Sequence, residues 1–212
     1  MRLEIRDKDK YTYVVTYSFP CQDISLAGKC AGFSTSQAQG GTRSGLLWEV
    51  ERILNELEEK PQVLLMENVK NLLSDKYFVD FQKWLKTLEN MGYMNFYKVL
   101  NSAEHGIPQN RERVFMMSIL DKDFNYQFPK TRQLEIFLKN VLEKNVDEKY
   151  FLTERIVKSY YVFNEKNKEK GNGFKWDPVE RDNADKAKTI LTRGGQALRQ
   201  LHHRRLSLAK IT

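Results

Sequence analysis

Three short stretches carry side chains able to do chemistry. Cys21 follows Phe19-Pro20, just past the β-branched and aromatic run YVVTY (13–17), and the proline ends any strand there. A thiol in that place lies where α/β folds put their ligands, and its thiolate is a potent nucleophile. Glu67, in Glu67-Asn68-Val69, follows the apolar run VLLM (63–66). A carboxylate at the end of a buried strand is poorly hydrated, so its acid form is favoured and it can donate a proton. Arg111 and Arg113 flank Glu112 at the start of the run RVFMMSI (113–119). Alternation along a strand puts both on one side, and two planar forks of donors suit phosphate or a carbonyl oxygen. Each stretch taken alone also has a plain reading. Cys21 could be a packed core thiol, Glu67 a turn cap, and the arginines a solvated turn with Glu112 as internal partner.

What joins the first two is the order of the elements. After YVVTY comes a polar loop from Cys21 to Gly41, then an amphipathic helix from Ser44 to Glu59. Leu46, Leu47, Val50, Ile53, Leu54 and Leu57 fall on its apolar face. Pro61 stops it, and VLLM reads as a strand buried on both faces. Strand, helix, strand is one crossover unit, so the two strands are expected to be neighbours. Cys21 and Glu67 then share one edge of the sheet. A second helix is expected over 76–91, with Phe78, Phe81, Trp84, Leu85 and Leu88 on one face and Gly92 as its cap. NFYKVLN (95–101) and RVFMMSI should pair antiparallel, because the loop holding His105 and Gln109 is too short for a helical crossover. Further on, 131–144 and 153–163 read as helices, and NEKNKEKGNGFKWDP (164–178) as a linker or exposed loop.

Bulk properties exclude some classes. The 212 residues are 41% apolar and contain no run long enough to span a membrane. The N-terminus has no apolar signal core. Two cysteines nine residues apart make no disulfide framework, and no Cys/His spacing suggests a metal. Both facts suit a reducing cytoplasm. Cys30 stands mid-loop with nothing beside it to activate it. The net charge of +7 points to a polyanion, but five basic residues and no acidic ones lie from Thr192 onward. The remainder carries only +2.

Taken together and in order, these stretches resemble the DNA cytosine-5 methyltransferase family, of a bacterial or phage restriction–modification type. Pro20-Cys21-Gln22, with Ser25, Gly28 and Lys29 after it, matches the nucleophile motif; Glu67 to Lys70 matches the glutamate motif; Gln109 to Arg113 matches the arginine motif. Thr42-Arg43-Ser44-Gly45-Leu46 looks like the cofactor-side segment. The likeness spans about residues 11–120. It implies an α/β, partial Rossmann-like S-adenosylmethionine-dependent fold, a mostly parallel sheet with an antiparallel final hairpin. It implies catalytic roles for Cys21, Glu67 and Arg113, and double-stranded DNA as the partner. DNA contacts would come from Gln22, Ser25, Lys29, Gln109 and Arg111, and from Thr192, Arg193, Gly194 and Gly195 at the start of target recognition. Pro20 and Leu46 would touch S-adenosylmethionine. No metal is implied.

The chain also departs from that family. No glycine-rich turn of the FxGxG kind occurs, and the expectation is a chain truncated at both ends, with most of the cofactor site absent or supplied by a separate chain. The expected organisation is a catalytic α/β region over 1–130, a target-recognition segment over 131–195, and a basic tail over 196–212 that is either foreign to the family or a phosphate-binding helix. Two other readings stay open. One is an inactive DNA-binding remnant of such an enzyme. The other is a cysteine hydrolase with His105 as base, although no oxyanion-hole glycine pattern precedes Cys21.

Overall fold

The computed structural model describes residues 4–20, 43–147, 149, 152–169 and 184–189. They divide between two compact units, one of residues 1–101 and 112–130 and the other of 102–111 and 131–212.

The first unit is a four-stranded open sheet of β1 (Val14–Tyr17), β2 (Val63–Val69), β3 (Met94–Asn101) and β4 (Glu112–Ile119), in the order β1-β2-β4-β3. β1 and β2 pair in parallel, as the crossover argument requires, while β4 runs antiparallel to both β2 and β3. The parallel part of the described sheet is therefore a single pairing. β2 extends to Val69, so Glu67 and Asn68 lie within the strand rather than after it. Its burial alternates: Leu64, Met66 and Asn68 are buried, and Val63, Leu65, Glu67 and Val69 only partly so. The run VLLM is thus not sealed on both faces. The residues packed in the core cluster come from one face, where Leu64, Met66, Val114 and Met116 meet the helices.

Two helices supply the other half of that core. α1 (Leu47–Glu56) begins after a short 3-10 turn at Arg43–Leu46 and ends when Leu57 turns extended, three residues before Lys60-Pro61 restricts the backbone further. It is shorter at both ends than the pattern implied. Only Leu47 and Leu54 of its expected face are fully buried within the helix, whereas Ile53 is exposed. α2 (Asp75–Asn90) buries Tyr77, Phe81, Trp84 and Leu88 at spacings of four, three and four. Phe78 and Leu85 only border the cluster. Its end is a Schellman motif: Tyr93 N–H donates to Leu88 O at 3.0 Å and Gly92 N–H to Glu89 O at 2.9 Å. Gly92 has φ +96°, the left-handed conformation that this cap demands and glycine adopts freely.

In the second unit the helix expected over 131–144 shrinks to α3 (Leu138–Val141). Upstream, Arg132 bridges to His105. At α3, the N–H groups of Leu138 and Lys139 donate to Asp185 O (2.9 Å) and Ala184 O (2.8 Å), and Leu138, Ala184 and Ala187 form a small cluster. Tertiary hydrogen bonds have taken donors that a longer helix would use. α4 (Glu154–Glu169) runs six residues past its expected end, into the stretch read as a linker. Among the described residues no helix is long and apolar enough to cross a membrane.

Trp84 is the keystone of the first unit. It is fully buried, its Nε1–H donates to the Tyr17 hydroxyl at 2.9 Å, and it meets the rings of Tyr17 and Trp48 edge-on at 6.1 and 6.0 Å. One side chain thereby links α2 to β1 and to α1. Trp84→Ala is expected to cost about 3–5 kcal/mol, read as a fall in the urea midpoint. Trp84→Phe should lose far less, about the 1 kcal/mol of one hydrogen bond plus a small packing defect.

Candidate active site

The register of β1 on β2 decides what stands at the end of the sheet. Tyr17 is opposite Met66, so the next residues, Ser18 and Glu67, come side by side. Ser18 Oγ donates to the Glu67 carbonyl at 2.9 Å. Asn68, only 2% exposed, donates through Nδ2 to the Phe19 carbonyl at 3.1 Å and accepts from Val69 N–H at Oδ1 at 2.8 Å. Phe19 is itself buried. The peptide that leads into Pro20 and Cys21 is therefore tied to the residues on either side of the Glu67–Asn68 bond. Cys21 is outside the described residues, as are Gln22, Ser25, Lys29 and Cys30.

Glu67 reaches the neighbouring strand. It lies opposite Phe115, and Arg113 stands two residues along β4 on the same face, the diagonal position in an antiparallel pair. Their contact is an ion pair of 3.1 Å between Arg113 Nε and Glu67 Oε1. The Glu67 side chain keeps 38% of its surface and Arg113 keeps 19%. The poorly hydrated carboxylate expected from a fully buried strand is thus not found; β2 is covered on one face, and Glu67 is on the other. Arg113 Nη1 also donates to the Glu112 carbonyl at 2.7 Å, which fixes the guanidinium plane. The Glu112 side chain does not serve Arg111 or Arg113. It pairs with Lys70 at 2.9 Å, an exposed contact of small energetic weight.

Arg111 lies just before β4, in the second unit, so strand alternation does not reach it. The loop that carries it is closed by Ser102, whose N–H donates to Arg111 O (3.1 Å) and whose Oγ donates to Gln109 O (2.6 Å). The segment 187–189 docks on the same loop. Asn110 N–H donates to Ala187 O (2.7 Å), Ala187 N–H to Pro108 O (2.8 Å), and Thr189 Oγ1 to Asn110 O (2.7 Å). Gln109 Nε2 reaches Lys188 O at 3.4 Å. Thr192, Arg193, Gly194 and Gly195 follow this segment in sequence and are outside the described residues. His105 shares the loop, and its Nε2 is buried without a partner among the described residues.

Beside the pairing of β1 with β2, Tyr17 is held by Trp84, and burial pushes its phenol far above the usual tyrosine range, so it stays neutral.

A family model for C-5 cytosine-specific DNA methylase matches residues 3–208. The chain belongs to that family. Among its relatives is the type II methyltransferase M2.ScrFI of Lactococcus lactis subsp. cremoris, 45% identical over 166 residues that make up 76% of this chain and 45% of the relative. The orphan methyltransferase M.SssI of Spiroplasma monobiae is 44% identical over 155 residues, 70% of this chain and 39% of its own length. The chain thus spans about half the length, or less, of these methylases. In fold it is similar to a DNMT2 structure from Spodoptera frugiperda, with TM-score 0.61 at 17% identity over 87% of this chain and 51% of that one. An S. pombe Dnmt2 methyltransferase gives 0.57 at 18% identity, over 85% and 50%. The described sheet and helices make a mixed α/β fold, and with these likenesses the partial Rossmann-like class stands.

For the methyl donor of such methylases, the described residues Pro20 and Leu46 are half-buried and apolar. Neither side chain can hydrogen-bond the ribose or carboxylate of S-adenosylmethionine, so they do not by themselves make its site. Among the described residues no group of three or more His, Cys, Asp or Glu could hold a metal.

The sequence reading assigned nothing to Asn68 or Ser18. A signal for Asn68 was present: in the alternation Leu64, Met66, Asn68 a polar residue occupies a core-facing position, which demands a hydrogen-bonding task. Asn68→Ala should lower stability by about 1–3 kcal/mol for each group it leaves unpaired. Asn68→Asp, which keeps the acceptor for Val69 N–H but buries a charge and turns a second oxygen toward the Phe19 carbonyl, should lose more at neutral pH. Chemical denaturation of the three proteins gives the ranking.

Proposed function

We propose that this chain carries the bond-making residues of a DNA cytosine-5 methyltransferase. The observation that carries the reading is the Glu67–Arg113 pair on the strand edge to which Ser18 and Phe19, just before Pro20 and Cys21 in sequence, are tied. Family membership supports the same reaction.

C5 of cytosine is too weak a nucleophile to take a methyl group unaided. The Cys21 thiolate adds to C6, forming an S–C6 bond and pushing the ring electrons toward C5 and N3. Glu67, as the acid, hydrogen-bonds N3 and neutralises the charge that gathers there. Its Oε1 is engaged by Arg113, and Oε2 has no protein partner among the described residues, which leaves it to face the ring. Arg113 holds the carboxyl group in one orientation and is assigned to the base carbonyl. S-adenosylmethionine supplies the electrophilic methyl group. Loss of the C5 proton to a base then expels the Cys21 thiolate and restores the aromatic ring.

None of this can happen to a stacked base, so the cytosine must leave the duplex. Arg111 and Gln109, with Gln22, Ser25 and Lys29, are assigned to DNA, with the phosphates as the main anchor. Thr192 to Gly195 begin target recognition, and the region after 130 serves that task. Double-stranded DNA is the partner. A reducing cytoplasm keeps the thiol available. The hydrolase reading gains nothing from the buried Nε2 of His105.

The test is a duplex containing 5-fluorocytosine, incubated with the protein and S-adenosylmethionine. A covalent adduct that maps to Cys21 and disappears in Cys21→Ser is the expected result. DNA binding with no adduct would favour the inactive remnant. Glu67→Gln should slow adduct formation by about 10²–10⁴-fold while the DNA dissociation constant changes little. Equal losses in rate and affinity would assign Glu67 a structural role instead.

A further inference from the structure

Behind the Gln109–Arg111 loop lies a guanidinium that the mechanism does not use. Arg132 donates its N–H to Glu104 O at 2.9 Å and its Nη2–H to His105 O at 2.8 Å. Gly106, with φ +87°, has no side chain to separate it from the guanidinium. A Cβ placed there would lie 2.7–2.9 Å from Nη2, Nε and Cζ of Arg132. The charged plane rests against the glycine and is held by the carbonyl of the preceding residue, His105.

Its charge is not neutralised locally. Arg6, Arg52 and Arg113 each pair with a carboxylate: Glu4, Glu49 and Glu67 respectively. Among the described residues Arg132 meets no carboxylate, and the residue is exposed. A backbone carbonyl fixes the fork in place without cancelling its charge. Such a group is pre-organised for an anion, because little side-chain entropy is left to lose on binding. It belongs to the same compact unit as Gln109 and Arg111.

We propose that Arg132 is a further contact to the DNA backbone, binding one phosphate through the guanidinium edge that His105 does not occupy. The inference rests on DNA being the partner. It extends the anchoring surface beyond the arginine motif to a residue outside every stretch on which the family resemblance rests.

Phosphate contacts have a signature that a structural brace lacks. Each one released lowers the slope of log affinity against log salt by about 0.9 on duplex DNA. Fluorescence anisotropy with an unmodified labelled duplex, titrated across a range of salt concentrations, reads that slope for the 212-residue protein. Arg132→Gln keeps a donor for His105 O but removes the charge, and should flatten the slope by about 0.9 with a several-fold loss of affinity at physiological salt. Arg132→Lys keeps the charge and should keep the slope. Arg52→Gln, on α1 and already paired with Glu49, should change neither. If the protein binds DNA and Arg132→Gln leaves the slope intact, Arg132 is only a brace and the inference fails while the DNA reading stands. If the unsubstituted protein shows no salt-dependent DNA binding, the DNA reading fails and takes the inference with it.

Discussion

A buried amide governs where the chain goes when it leaves the first strand. Asn68 occupies an inward position on β2 and spends one end on the Phe19 carbonyl, the other on its own following N–H. Burying an amide is unfavourable unless its hydrogen bonds are met, so this residue tolerates few alternative paths for the backbone beside it. Ser18 adds a second tie, to the carbonyl of Glu67. Parallel pairing of β1 with β2 brings the two strand ends level; these side chains then hold the exit of β1 against the strand that carries Glu67.

A second constraint comes from β4. Because it pairs antiparallel with β2, Arg113 falls diagonal to Glu67 on the same face, and the ion pair follows from register alone. The face opposite belongs to the core, where Trp84, Phe81 and Leu88 press against Leu64, Met66 and Met116. One strand thus divides its labour by alternation. Inward residues fix the sheet in place, and the outward Glu67 is left half-exposed. Local packing on one side is what permits a defined geometry on the other.

Much of this arrangement was legible in the residues, and the reasons differ by element. The alternation of helix and strand patterns around YVVTY and VLLM implied neighbouring parallel strands, since a crossover of that length leaves little choice. The short loop after NFYKVLN implied an antiparallel pair, and Gly92 marked the end of α2. Burial of β2 was misjudged because a four-residue apolar run hides its period, which becomes visible only when Glu67, Asn68 and Val69 are counted as strand. The helix over 131–144 failed for another reason. Its apolar spacing was real, but Arg132 and the donors of Leu138 and Lys139 found partners far along the chain, at His105, Asp185 and Ala184. No local pattern records such a competition. Arg113 and Glu67 could be named from sequence; their contact, the clamp of Asn68 and the seat of Arg132 against Gly106 could not, for each depends on registers and on distant carbonyls.

The account depends on a sulfur from β1's exit and a carboxyl from β2 lying within reach of one pyrimidine ring. Thiol crosslinking measures that separation without relying on turnover. In protein carrying Glu67→Cys and Cys30→Ser, a short bifunctional reagent such as dibromobimane should join positions 21 and 67 within one chain, and peptide mapping by mass spectrometry should recover the joined pair. Labelling of both thiols as separate adducts, with no joined peptide in folded protein, would contradict the proposal that the two side chains act on the same base.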